Sequence, residues 1–299
     1  MPGSFASSRI GMSVARGVGR ALPRAFADKL IGVVTSRILA DPDSALVRAS
    51  RVNQWVASGG MLAGESLDAA VRANIEMMAR LLYDLYHVVG TGAPEVAAVV
   101  IDDVFETMVE REASGAGPFV YVGAHFGNFD LLGRALGFHG WRMQVLSVPE
   151  PTGAYQWQNE LREQAGFELT PVSLDSLKQA ARGLAEGRSI LTGLDRPLPE
   201  ADKALPRFFG RPAPLPLLHV RLAMRAGVPV VVLAGFRRPD GRYSLIASDP
   251  IDLEPGAQTP ELLAANAERC LVPVEQWISS SPEQWAMPHV VWPDVRVPD

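Results

Sequence analysis

The chain has 299 residues, enough for one large domain or two small ones, and a hydrophobic fraction of 47%, which is that of a protein with a core to bury. A formal net charge of −5 supplies no basic field to draw in phosphate backbones, so nucleic acid is excluded as a main partner. Cys270 is the only cysteine, which excludes an intramolecular disulfide and points to a reducing compartment.

The first forty residues carry six basic side chains against Asp28 alone. Arg9, Arg16, Arg20 and Arg24 fall on one helical face, beside a stripe of Ile10, Val14, Val18 and Leu22. The stretch "FADKLIGVVTSRIL" continues the apolar pattern with Lys29 and Arg37. A basic amphipathic segment on an acidic protein suits an anionic lipid surface, and it equally suits a helix packed on the core. Arginines and glycines interrupt any signal-peptide pattern, and there is no apolar run of about 18 residues to span a bilayer.

Residues 44–88 read as helical, with Ser66 a candidate N-cap, and "GTGAP" at 90–94 closes that portion with a turn. From about residue 96 strands and helices alternate. "FVYVGA" leads into a helix from about 129, "MQVLSV" into "YQWQNELREQAG", and "FELTPV" into "SLDSLKQAARGLAEG". "SILTGL" leads through a loop to "LLHVRLAMRAG". "VPVVVLAGFRRPDGRYSLIASDPI" reads as two strands around a Pro-Asp-Gly turn, and "PELLAANAERCLVPVEQWISS" as a last helix. This order predicts an α/β fold with a central, mostly parallel sheet flanked by helices and a hairpin at one side. The expected division is a helical portion over 1–95 and an α/β domain over 96–299, joined in one compact unit.

Several chemistries are absent: there is no Gly-x-Ser-x-Gly elbow, no phosphate-binding Gly-Lys-Ser/Thr loop and no His-Glu-x-x-His. His87, His139, His219 and His289 lack ligand spacing, so no metal is expected. Cys270 sits mid-helix among apolar residues, as a packed thiol does.

"GAHFGNFDLLG", residues 123–133, remains. His125 stands at the carboxyl end of a strand, where open α/β sheets place ligands. Gly127 tightens the turn, and Asn128 or Asp130 can cap the helix that follows. Asp130 can also accept a proton from the imidazole and fix its tautomer, the pairing of base and orienter found in triads. No serine or cysteine nucleophile lies nearby, so the substrate must bring the hydroxyl. Backbone N–H groups at Gly127 and Asn128 can face a developing oxyanion.

"AHFGNFDLLG" resembles the His-x4-Asp/Glu box of bacterial lipid A biosynthesis acyltransferases and of their relatives that acylate phosphatidylinositol mannosides, within the lysophospholipid acyltransferase-like superfamily. Four further stretches agree in order. "QNELREQAG" is similar to an Asn…Arg…Gly segment (Asn159, Arg162, Gly166), and "GLAEGRSILTGLDRPL" to a strand ending in an acid and a base (Asp195, Arg196). "FFGRPAPLPLLHVRLAMRAGVPVV" is similar to a Phe-Gly-x-x-Ala-x-x-Pro block beginning at Phe209, and "SPEQWAMPH" to a Pro-Glu-Gln-Trp/Tyr closing segment. Leu217, Leu218 and His219 stand where the family commonly has a glycine after the proline.

The resemblance implies an O-acyltransferase that moves a fatty acyl chain from a thioester to a hydroxyl of a membrane glycolipid or phospholipid, without an acyl-enzyme. His125 would be the base and Asp130 or Asp195 its partner, with backbone N–H groups or Arg162 holding the oxyanion. Asn159, Arg188, Arg196, Phe209 and Arg211 are implied around the donor or the acceptor headgroup. No tightly bound cofactor is expected, only acyl-CoA or an acyl carrier protein as co-substrate. The implied place is peripheral, on the cytoplasmic face of the inner membrane. A silent lipid-binding scaffold of the same fold and a lipid or thioester hydrolase are the alternative readings.

Overall fold

The computed structural model describes Gly17 and residues 23–92, 98–147, 154–198 and 205–298. The expected stripe residues Arg9, Ile10, Val14, Arg16, Val18, Arg20 and Leu22 lie outside these. Three helices come first: α1 (Arg24–Leu39), α2 (Ala45–Ala57) and α3 (Gly64–Thr91). Ser44 caps α2 by accepting from the Val47 N–H. Ser66, expected to be the N-cap of α3, sits inside it, because the helix starts at Gly64 and the Ser66 hydroxyl reaches back to accept from the Ala63 N–H at 3.1 Å. Gly92, in the left-handed region at φ 66°, ends α3.

The α/β portion runs β1 (Val99–Val100), α4 (Asp103–Ala113), β2 (Val120–Gly123), α5 (Phe129–Phe138), β3 (Gln144–Ser147), α6 (Ala154–Gln164), β4 (Glu168–Pro171), α7 (Leu174–Ala185) and β5 (Ile190–Gly193). It continues through a small hairpin of β6 (Arg207–Phe208) and β7 (Arg211–Pro212), then α8 (Leu218–Ala226), β8 (Val230–Arg237), β9 (Tyr243–Ala247) and α9 (Pro260–Ser280). The main sheet has the order β1-β9-β8-β2-β5-β3-β4. The run β8-β2-β5-β3-β4 is parallel throughout. The expected hairpin β8–β9 is antiparallel, and β1 pairs parallel to β9 at the edge. β1, α4 and the β6–β7 hairpin add to the elements that periodicity predicts.

Both faces of the sheet are covered, which is why β2 reads as a continuous apolar run. Tyr121 points to one side, into a core with Phe105, Leu131, Leu136, Trp141 and Leu85 from α3–α5 and the loop after α5. Val120, Val122 and Ala124 point to the other, against Ala180, Leu184, Ala223, Cys270 and Val274 from α7, α8 and α9. Each buried valine or leucine among them contributes roughly 1.5–3 kcal/mol. The parallel run delivers its carboxyl ends to one rim, and there the site lies.

Candidate active site

His125 and Asp195 are brought together by strand register. β2 and β5 are parallel neighbours with Gly123 opposite Gly193, and each of the two residues follows its glycine by two positions. His125 Nδ1 lies 2.7 Å from Asp195 Oδ1, and the His125 backbone N–H donates to Asp195 Oδ2 at 3.0 Å. A carboxylate accepts only, so Nδ1 carries the proton and Nε2 is left as the basic nitrogen. The indole Nε1–H of Trp285 also donates to Asp195 Oδ2, at 3.0 Å. Full burial would raise the Asp195 carboxyl, but the facing His125 and these three hydrogen bonds outweigh it and hold the group below its usual range.

The loop that carries His125 is fixed on two sides. The Gly235 N–H of β8 donates to the Phe126 carbonyl at 3.0 Å, and Gly127 turns there at φ 61°. A Cβ on Gly127 would stand 2.0 Å from the Gly235 oxygen, so glycine is required by conformation and by contact. On the other side lies the closing segment 284–286, paired antiparallel through Phe126 and Trp285. The Gly127 N–H donates to the Gln284 carbonyl at 2.9 Å, and the Ala286 N–H to the His125 carbonyl at 2.7 Å.

That segment is in turn gripped by buried amides of the N-terminal helices. Asn74 of α3 donates to the Glu283 and Trp285 carbonyls, Gln54 of α2 to that of Pro282, and Asn53 to those of Met287 and His289. The helical portion is thus tied to the dyad through one intervening strand of chain.

Asp130 does not face His125. It opens the first turn of α5 with its side chain toward α6, where it accepts from Arg162 Nε at 3.0 Å, Arg162 Nη2 at 2.7 Å and Gln158 Nε2 at 3.0 Å. Asn159 accepts from Arg162 Nη1 at 2.9 Å. Phe129 stands between the two clusters, edge-on to the His125 ring at 5.2 Å and beneath the Arg162 guanidinium at 5.9 Å.

A cavity of about 540 Å³ opens beside the dyad. His125, Arg162, Arg196 and Arg221 stand in its walls near the strand ends, with Leu198, Leu217 and Leu218 from the loops and the start of α8. It runs back beneath α5 to Leu136, Trp141, Val145, Phe167, Leu191 and Leu245, which are apolar without exception. The space suits a molecule with one polar end and a long apolar body.

The profile of the family "Bacterial lipid A biosynthesis acyltransferase" matches residues 18–293, nearly the whole chain. The chain belongs to that family. It is accordingly an acyltransferase, of the bacterial type that acts in lipid A-like biosynthesis. None of the curated proteins matches it.

Within this acyltransferase the residues expected at the site divide. His125, Asp130, Arg162 and Arg196 all line the cavity, and Asp195 lies behind His125. Asn128 is the N-cap of α5, accepting from the Leu131 N–H, while its amide donates to the Leu81 carbonyl. The Gly127 N–H, expected to face an oxyanion, is taken by Gln284. Asn159 acts on Arg162 and does not line the cavity. Arg188 precedes β5, at the end of the sheet away from His125, and pairs with Glu186 in solvent. Phe209 packs among Phe208, Trp285 and Trp292, and Arg211 lies over the Trp55 ring at 5.2 Å, so neither is in the cavity wall.

Trp285 and Gln284 are the residues that reasoning from sequence left without a role. "SPEQW" marked their segment, but only the fold brings it against residues 125–127. Cys270 is buried in α9, and burial pushes its thiol up to about 12, which removes it as a nucleophile.

Proposed function

We propose that the chain transfers a fatty acyl group from an acyl-CoA or acyl carrier protein thioester to a hydroxyl of a lipid acceptor, in a single ternary complex. The reading is carried by the His125–Asp195 pair at the mouth of a deep apolar cavity. His125 Nε2 takes the proton of the acceptor hydroxyl, and Asp195 stabilises the imidazolium through Nδ1. The oxygen attacks the thioester carbonyl, forming a tetrahedral oxyanion. Arg162 and Arg196, the latter next in the chain to Asp195, both stand in the cavity wall as cations suited to hold that charge. The C–S bond then breaks, the thiolate leaves with the proton from His125, and the ester remains on the lipid. The product is an ester and a free thiol, with no acyl-enzyme between.

The acceptor side favours a membrane surface. Among the described residues no helix is long and apolar enough to cross a bilayer. α1, however, leaves Phe26, Leu30, Val33 and Val34 exposed on neighbouring turns, with Lys29 and Arg37 exposed beside them. A helix seated in the interface of an anionic membrane would cover that face.

Thiol release from a long-chain acyl-CoA, with and without a bacterial lipid extract, tests the reading, with lipids analysed by mass spectrometry. Release that needs lipid, adds one acyl mass to a lipid and is lost in His125→Ala is the expected result. Release independent of lipid would show a hydrolase. No release from either acyl-CoA or acyl carrier protein would show a binding protein and refute the proposal.

A further inference from the structure

The glycines around the site fall into two kinds. At Gly127, Gly235 and Gly137 an added Cβ would come within 2.0, 2.6 and 2.4 Å of a neighbouring atom, so close packing explains the residue. At Gly123 and Gly133 an added Cβ would meet nothing within 4 Å, and at Gly193 only the Gly123 carbonyl oxygen, at 4.0 Å. None of these last three has a positive φ. Packing and backbone conformation therefore leave all three unexplained.

Their positions make the contrast sharper. Gly133 is inside α5, where glycine is the least favourable residue short of proline. Gly123 and Gly193 end neighbouring strands and stand opposite each other, where a side chain would ordinarily pack. All three face the same cavity. Along α5 the cavity wall is Phe129, Asp130, Leu132, Gly133 and Leu136, so the glycine is the one gap in a face otherwise made of larger side chains. Leu191, two residues back along β5, stands roughly 7 Å deeper. The three glycines thus flank the passage from His125 to the apolar end.

We propose that Gly123, Gly133 and Gly193 are specificity-determining residues, which keep open the throat through which an unbranched long acyl chain passes to Trp141, Val145 and Phe167. The inference rests on the acyl-transfer reading of the site. A side chain at any of the three would narrow the throat and restrict the enzyme to shorter chains.

The test compares wild type, Gly133→Ala and Gly133→Leu with octanoyl, dodecanoyl and hexadecanoyl thioesters, alongside their melting temperatures. For Gly133→Leu, kcat/KM for hexadecanoyl should fall at least about tenfold further than for octanoyl, while Tm holds or rises. Gly133→Ala should fall between, and it serves if the leucine variant does not fold. Affinities for the three free fatty acids are measured in parallel. An equal loss for every chain length, or none, would overturn the inference. Chain-selective loss of fatty-acid binding in Gly133→Leu, beside a wild type that binds but transfers nothing, would uphold the throat and refute the transfer reading instead.

Discussion

The indole N–H of Trp285 and the ring Nδ1 of His125 bind opposite oxygens of one carboxylate, that of Asp195. Residues 125 and 195 are set by strand register, but Trp285 arrives from the far end of the chain and closes the group. The indole is therefore a positioning element for the base, acting through the acid.

Removing that donor should loosen the acid without abolishing the base. In Trp285→Phe, Asp195 loses one of the hydrogen bonds that hold its carboxyl low, and a bond to a charged group is worth about 1.5–3 kcal/mol. The carboxylate's contribution to stability is present above the unfolded carboxyl pKa of about 3.9 and is lost as pH falls through the lower folded value. With the folded value raised toward the unfolded one, acid unfolding should begin at higher pH than in wild type. Turnover should fall about tenfold or more, with KM for the donor little changed. An unaltered pH–stability profile, read by circular dichroism across an acid titration, would show that the indole serves packing alone.

Asp195 and Asp130 should separate cleanly. Asp195→Asn lets the amide donate toward Nδ1 and spoils the tautomer, so turnover should drop about 10²–10⁴-fold in a folded protein. Asp130→Asn instead leaves the Arg162 guanidinium, only 16% exposed, beside a neutral amide. Breaking such a pair costs about 3–5 kcal/mol, so stability should fall first. Adding Arg162→Met should restore part of the lost urea midpoint. Abolished turnover at unchanged stability in Asp130→Asn would make that acid, not Asp195, the partner of the base.

What the sequence disclosed and what it withheld follow from distance along the chain. The strands and helices from residue 119 on are short, strongly apolar and punctuated by glycine or serine, so their order was readable. β1, β6 and β7 have two residues each, too few for any period to show. His125 stood out because turn, cap and acid are local to it. Asp130 looked equally able to serve as its partner, since nothing local reveals that α5 turns that acid toward α6. The choice of Asp195 depends on β2 lying beside β5, and the role of Trp285 on residues 284–286 pairing with 125–127. Both are contacts between distant segments. Arg188 stands before β5, at the end of the sheet away from His125, and an arginine in a matching stretch does not by itself tell one end of a strand from the other.

The exposed face of α1 predicts lipid binding that depends on apolar area and on charge separately. Phe26 is 57% and Val33 67% exposed, on the same side of the helix. Phe26→Ser with Val33→Ser should weaken sedimentation with vesicles of either charge. Lys29→Gln with Arg37→Gln should weaken it chiefly on anionic vesicles, and that difference should vanish in high salt. Unaltered binding in both double variants would move the membrane contact elsewhere on the surface.

His219 predicts an acid sensitivity unrelated to catalysis. It lies on α8, 2% exposed, and among the described residues neither ring nitrogen has a hydrogen-bond partner. Burial depresses its pKa from 6.5 to about 4, so the folded protein keeps the ring neutral while the unfolded chain protonates it. Between those values the unfolded state binds more protons, and stability must fall as pH falls, beginning near the unfolded pKa. Over the step from about pH 7 to about pH 5 the loss amounts to about 2 kcal/mol. His219→Leu removes the titrating group and fills the site with an apolar side chain, so the variant should match or exceed wild-type stability near neutrality and lose about 2 kcal/mol less at the lower pH. Urea midpoints of the two proteins at both pH values decide it. Parallel losses would mean that this histidine does not set the acid limit of the fold.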